Sequence, residues 1–317
     1  MIRVKRLLSE VFHPATAERP PERQPKPEEE ILYLDFPACI AADFPDEFPA
    51  ALQATQEVQA AIRNADLSPL ARHSPGLKDF CWDSYLNCSL VRIVQAAAAL
   101  RERSVIGGRI LDYGSYFGNF SLAFARLGYQ VDAVDSYQTY GEAFAGVLPL
   151  LRKAGVRPLD FAEVRYDLMG LDSESYDVVL CMGVIEHIPH TPRPLLEALN
   201  RALKTGGRLL LDTPNLAYIY NRQRLARGES IFCPIALQYD TAIPFEGHHR
   251  EYTAAEVEWM LRRLGHENIT LRTFNYSFYG CPSLRGLDLE NYRTALADPS
   301  CREIILAVSE KPLRGAK

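Results

Sequence analysis

The stretch Arg109-Ile-Leu-Asp-Tyr-Gly-Ser-Tyr-Phe-Gly-Asn119 decides how the rest of the chain is read. Ile110 and Leu111 predict the end of a buried strand. Asp112, Gly114 and Gly118 follow at turn spacing, and Phe120 to Leu127 predicts a helix leaving that turn. A second strand, Tyr129 to Val134, ends in Asp135. Strand, glycine turn, helix, strand and acid, in that order, describe a nucleotide-cofactor site on an open α/β sheet. The dinucleotide pattern G-x-G-x-x-G is not met, because Gly114-Ser-Tyr-Phe-Gly118 lacks the middle glycine. No G-K-S/T segment is present, which excludes a P-loop.

The chain has 317 residues, enough for one large domain and an appendage. Its net charge of −5 gives no bulk attraction to nucleic acid or to an anionic membrane. Seven cysteines are scattered without a C-x-x-C pair, which argues for reduced thiols and against a zinc cluster or a disulfide framework. No apolar run reaches the roughly 18 residues of a membrane span, and residues 1–8 intersperse charges among apolar residues, unlike a signal-peptide core. The expected compartment is cytoplasmic, with no stable membrane insertion.

Five prolines between Pro14 and Pro27 predict that residues 1–30 are an extended or disordered segment. Residues 31–105 predict an α-rich N-terminal region: irregular to Pro49, helical over 50–65, a loop over 66–76, then a helix capped by Asp83 and running to about Arg103. The remaining domain, 106–317, alternates strands and helices. Strands are predicted near 109–113, 130–134, 161–165, 176–182 and 207–213, with helices near 118–127, 139–154 and 192–203. Thr205-Gly-Gly207 predicts a helix stop and a strand start. Residues 214–250 break the alternation and predict an irregular cap. Thr253 and Glu256 have capping-box spacing for a helix to Leu264, and strands near 267–275 and 302–309 follow. The fold class is α/β, a doubly wound, seven-stranded, mostly parallel sheet.

Four segments occur in order: residues 110–120, Val131-Asp-Ala-Val-Asp135, Tyr176-Asp-Val-Val-Leu-Cys-Met-Gly-Val-Ile-Glu-His-Ile-Pro189 and Leu203-Lys-Thr-Gly-Gly-Arg-Leu209. In this order and spacing the chain resembles the class I S-adenosylmethionine (SAM) dependent methyltransferases, over about residues 105–310. The resemblance implies a Rossmann-like fold with SAM as cofactor. Gly114 and Gly118 would let backbone approach the methionine part, and helix N-terminal amides would favour its carboxylate. Asp135 would take the ribose hydroxyls. Asp167 would lie near the adenine amine, and Met182 and Gly183 would wall the adenine or the sulfonium. Asp112 is expected to support the turn. Tyr116 replaces the family's second glycine, so its side chain must point away from the cofactor or stack near it. That departure leaves open a non-catalytic binding protein of the same fold.

SAM carries an activated methyl group, so the protein must align donor and acceptor and, for a hydroxyl acceptor, help remove a proton. Glu186-His187 follows the fourth strand at the ligand-binding edge, a position that faces the acceptor in the resembling family. The chain is similar in detail to ubiquinone-biosynthesis O-methyltransferases, whose segment reads C-M-E-x-x-E-H. A divalent metal is associated with the two acids and the histidine there. Here Cys181-Met-Gly-Val-Ile-Glu-His187 has Gly183 in place of the first acid, so no metal is expected.

Gly247-His-His-Arg-Glu-Tyr-Thr253 resembles a segment of bacterial methyltransferases of polysaccharide and lipid-glycan pathways. It makes His248 or His249 a second candidate base, with Arg250 and Tyr252 expected to fasten the cap. Asp212-Thr-Pro-Asn215 is a candidate for substrate hydrogen bonds, and Tyr218, Tyr220 and Tyr239 for stacking on a sugar or planar acceptor. Arg222, Arg224 and Arg227 form a local basic run without the basic stripe of a nucleic-acid binder. The expected activity is O-methylation of a small molecule or glycan precursor. A quinone- or lipid-directed O-methyltransferase and a non-catalytic binding protein are the rivals. The sequence does not fix the oligomeric state.

Overall fold

The computed structural model describes residues 36–72, 74, 77, 80–161, 168, 170–241, 243–277 and 289–313. The predicted N-terminal segment, 1–30, and Asp167 lie outside the described residues. The helices before the sheet are α1 (Phe36–Asp43), α2 (Phe48–Ile62) and α3 (Trp82–Arg101). The core then runs β1 (Arg109–Tyr113), α4 (Asn119–Arg126), β2 (Gln130–Asp135), α5 (Tyr137–Tyr140), α6 (Val147–Lys153), β3 (Arg157–Asp160) and β4 (Tyr176–Met182). After it come α7 (Arg193–Ala202), β5 (Leu203–Pro214), α8 (Ile219–Ala226), α9 (Ile235–Asp240), α10 (Ala254–Arg263), β6 (Glu267–Phe274), α11 (Leu289–Ala297) and β7 (Ile304–Glu310).

The strands form one seven-stranded sheet in the order β3-β2-β1-β4-β5-β7-β6. β3 to β5 pair in parallel, and β7 lies antiparallel between β5 and β6. The order reverses at β1, and the loops after β1 and β4 open there, where a doubly wound sheet takes its ligand.

Strand alternation divides two cores. Ile110, Val178, Leu180, Leu210 and Leu306 face one cluster, and Leu111, Val179, Cys181, Leu211 and Ala307 face the other. The first cluster is covered by α2, α3 and α4, the second by α7 and α10. Each fully buried Leu or Ile contributes roughly 1.5–3 kcal/mol relative to exposure. α3 is apolar nearly all round, with Leu86, Leu90, Val91, Ile93, Val94 and Leu100 buried. Its one buried cation, Arg92, donates Nε–H to Asp212 Oδ2 at 2.8 Å and Nη2–H to Oδ1 at 2.5 Å, at the end of β5. That bidentate pair is nearly closed to water and docks α3 on the ligand edge of the sheet.

Several predicted elements shift. The third strand is Arg157–Asp160, not 161–165. Pro158 argues against a strand only inside a sheet, and β3 is an edge. The single helix predicted over 139–154 is broken at Gly141 (φ 34°) into α5, a 3-10 turn and α6. The irregular stretch predicted before Pro49 contains α1, and Pro49 lies in the first turn of α2, where a missing N–H costs nothing. Cys81 rather than Asp83 precedes α3, and Asp83 sits in its first turn, complementing the dipole. β5 begins at Leu203, and Gly206 (φ 74°) lies within it, where the pairing with β4 jumps from Leu203 to Arg208. The cap is not wholly irregular, since α8 and α9 lie in it. The Thr253 capping box forms as predicted.

Asp212→Ala would leave the Arg92 cation buried and alone, at a cost of about 3–5 kcal/mol in urea denaturation. Arg92→Met combined with Asp212→Leu should recover most of that loss. A single-variant loss under about 1 kcal/mol would show that the pair does not dock the helix.

Candidate functional site

The turn after β1 carries three left-handed residues: Gly114 (φ 75°), Tyr116 (φ 50°) and Gly118 (φ 69°). The N–H groups of Gly114 and Ser115 both donate to the Val134 carbonyl, at 2.9 and 3.1 Å, which lashes the turn to β2. Asp112 is 1% exposed and accepts a 2.5 Å hydrogen bond from Ser121 Oγ in α4. It therefore braces the turn from beneath. Burial pushes its carboxyl up to about 7.

Tyr116 occupies a conformation that costs a side-chain-bearing residue roughly 1–2 kcal/mol. The rings around it offset that strain. Trp82 and Tyr85 of α3 lie 5.8 and 6.2 Å from its centroid, Phe117 4.4 Å and Phe144 5.9 Å. The side chain packs under the N-terminal helix, while its N–H donates to Asp135 Oδ2 at 2.6 Å. Tyr116 thus orients the acid through its backbone.

Asp135 ends β2 and is 9% exposed. Its Oδ1 accepts from the Ser136 N–H at 2.7 Å. Each oxygen therefore has one fixed donor and a remaining lone pair, the arrangement that two ribose hydroxyls need. Burial pushes the carboxyl up to about 6; the two N–H donors oppose this, and the charges of Glu246 and Asp160 add to it. Close by, at the start of α4, Asn119 Nδ2 is a buried donor without a partner among the described residues. A half-used carboxylate and an orphan amide donor on a left-handed turn fit SAM.

Met182 ends β4 buried, and Gly183 follows at φ 68°. A Cβ on Gly183 would lie 2.7 Å from Nη2 of Arg92. The place of the missing acid is therefore taken up by a guanidinium from α3.

The Glu186-His187 corner forms a 3-10 turn after β4. Glu186 is 2% exposed; its Oε2 accepts from Thr213 Oγ1 at 3.1 Å, and burial pushes its carboxyl up to about 7. Its backbone carbonyl accepts the N–H groups of His249 (2.7 Å) and Arg250 (3.3 Å), so the cap returns to this corner. His248 thereby stands against His187, ring centroids 4.7 Å apart and edge to face. His248 Nδ1 meets Glu251 Oε1 at 3.3 Å. Burial lowers the His248 pKa, but the Glu251 contact and the Glu186 charge outweigh it and raise it. For His187, desolvation and then His248 push the pKa down. The residue is exposed, so water softens that desolvation, and the neighbouring His248 keeps the direction toward a neutral ring. Glu186, His187 and His248 each bring one potential ligand atom within 4.8 Å of the others, a set able to hold a metal ion. The expectation of no metal counted the acid lost at Gly183 and not the histidine the cap brings in.

Two other expectations are corrected. Asp212 and Asn215 are closed off from a substrate by burial: Asp212 is 1% exposed under its pairing with Arg92, and Asn215 is buried and donates to the carbonyls of Ser300 (3.0 Å) and Arg302 (2.7 Å). The three cap tyrosines do not form one cluster. Tyr218 and Tyr220 pack edge to face at 5.3 Å, whereas Tyr239 is 84% exposed. Arg250 pairs with Glu256 at 2.6 Å and lies over Tyr252, whose carbonyl accepts from the Leu216 N–H, so both residues fasten the cap. Arg92 and Glu303 were missed. Arg92 was visible as one cation within the apolar run 86–100. Glu303 Oε2 accepts from the N–H of Tyr276 (3.1 Å) and of Ser277 (3.0 Å) beside the ligand edge, with its carboxyl pushed up by burial to about 7.

Known proteins similar to this chain are methyltransferases. The family described as a methyltransferase domain matches residues 82–271, a span that includes α3. The ubiquinone biosynthesis O-methyltransferase of Xanthomonas oryzae pv. oryzae is 33% identical over 129 residues, 39% of this chain and 49% of that protein. Its counterpart in Stutzerimonas stutzeri is 32% identical over 114 residues, 35% of this chain and 47% of that protein. The match spans about half the length of these curated relatives. Among solved structures, phosphoethanolamine N-methyltransferase 2 of Haemonchus contortus in complex with SAM is 19% identical. It covers 69% of this chain and 52% of its own, with a TM-score of 0.45.

If ribose hydroxyls donate to the Asp135 carboxylate, protonation competes with binding. Affinity for S-adenosylhomocysteine (SAH) should hold above about pH 6 and fall below it, by up to about tenfold per pH unit. Calorimetry across that range checks this. Asp135→Asn should be weak with a flat profile, and a wild-type profile equally flat would remove Asp135 from the site.

Proposed function

The chain belongs to the class I SAM-dependent methyltransferases, and on that premise we propose that it methylates a hydroxyl of a small molecule. The observation that carries this reading is the meeting of Glu186, His187 and His248 at the edge that also presents Asp135. SAM, when bound, supplies a methyl group activated on a sulfonium. The chain's own residues do the rest. Gly114 to Gly118 and Asp135 orient the donor. α3 and the cap flank the edge. His248 takes the acceptor's proton as the acceptor oxygen bonds to the methyl carbon and the sulfur–methyl bond breaks. Glu251, on His248 Nδ1, holds that ring with Nε2 available and stabilises its protonated form, as a carboxylate behind a catalytic histidine does. Tyr116 does not count against the cofactor site, because its ring lies under α3 and its N–H holds Asp135.

Transfer of labelled methyl from SAM to a panel of phenols, quinols, hexoses and their amine analogues tests this. Hydroxyl acceptors should be methylated and their amine analogues should not. That panel also separates a glycan precursor from a quinone acceptor. His248→Ala should lower turnover by about a hundredfold or more with SAH affinity unchanged. Full turnover in that variant would overturn the base assignment.

The histidine pair with Glu186 also favours a second reading, in which these residues hold a divalent cation that would polarise the acceptor oxygen. Dialysis against a chelator separates the two. Unchanged turnover supports the base alone, and loss restored by manganese or zinc supports the cation.

A further inference from the structure

We infer that Glu246 is a positioning residue that latches the cap segment, residues 243–251, to the cofactor loop and thereby sets the ring of His187. Glu246 works in two directions. Its Oε2 accepts a hydrogen bond from the Tyr140 hydroxyl, a charge-assisted contact across 106 residues of sequence. Its backbone carbonyl bonds His187 Nδ1 at 2.8 Å. A carbonyl can only accept, so Nδ1 carries the proton and Nε2 keeps its lone pair.

Tyr140 ends α5, the short turn that begins two residues after Asp135. Tyr140 is 9% exposed, and its ring lies 6.1 Å from Phe144, which in turn lies 5.9 Å from Tyr116. The latch therefore rests on the same aromatic group that supports the cofactor turn. A second fastening lies just beyond it, where the N–H groups of His249 and Arg250 donate to the Glu186 carbonyl. Held at both points, the segment ties α5, which follows Asp135, to the histidine corner. The Glu246 charge is close enough to Asp135 to help push that carboxyl up. Because Tyr140 belongs to the turn that follows Asp135, the latch couples release of the cofactor to lifting of the segment. Closure over the cofactor and the tautomer of His187 are then set by one residue.

The inference rests on the SAM site proposed above, and the experiment separates the two. SAH dissociation from the full chain is measured by surface plasmon resonance. Tyr140→Phe and Glu246→Ala should release SAH about tenfold faster, the scale of one charge-assisted hydrogen bond. Glu246→Gln keeps an acceptor oxygen and should stay within about threefold of the wild type. The thermal midpoint of each variant establishes that it is folded. Nitrogen-15 shifts of the His187 ring, assigned by His187→Gln, should show a protonated Nδ1 in the wild type and in Glu246→Gln. Tyr140→Phe and Glu246→Ala should show a mixture of tautomers. Wild-type release in Tyr140→Phe, or release from Glu246→Gln as fast as from Glu246→Ala, overturns the latch while leaving the site intact. No SAH binding by the wild type overturns both.

Discussion

The buried contact between Arg92 and Asp212 is the constraint from which the arrangement of the site follows. Two charges taken from water cost several kcal/mol each, and only a bidentate, well-aligned pair offsets that. The pair can form in one place, where α3 crosses the ends of β4 and β5. Once Arg92 is there, residue 183 must lack a side chain, and Asp212 is no longer available to a substrate. The N-terminal helices cease to be an appendage and become a wall of the ligand edge. Glu186 then sits close to both charges, which act on it in opposite directions, while its burial pushes its carboxyl up.

A second dependence runs through the backbone of Tyr116. A glycine there would adopt the same left-handed conformation without strain, yet it would bring no ring to α3. With tyrosine, the N–H that holds Asp135 is itself held by an aromatic group made of α3 and the segment after β2. The position where the family pattern breaks is where the helical region and the cofactor turn are joined. Tyr140 and Glu246 extend the same connection to the cap, so three regions far apart in sequence meet around one carboxylate.

What local pattern dictates was legible. The alternation of β1, β4 and β5 announced a sheet buried on both faces, the glycine spacing announced the turn, and Thr253 with Glu256 announced a helix start. Asp135 was legible as the acid that closes the second strand. The misses have physical causes. The third strand includes Pro158, which only an edge strand tolerates, and edge and interior are not distinguishable before the sheet order is known. Arg92 with Asp212, and Tyr140 with Glu246, are partners separated by 120 and 106 residues. No periodicity records such pairs. The histidine that the cap delivers to Glu186 and His187 belongs to the same class, since its place depends on how an insertion folds back.

The central claim is that the turn from Gly114 to Gly118 and the acid Asp135 hold SAM. A crystal structure of the chain with SAH tests this most directly. The account predicts both ribose hydroxyls within hydrogen-bond distance of Asp135, the amino-acid end of the ligand against the turn near Asn119, and the sulfur facing the corner of Glu186, His187 and His248. A ligand seated elsewhere on the sheet, or ribose hydroxyls turned away from Asp135, would contradict it.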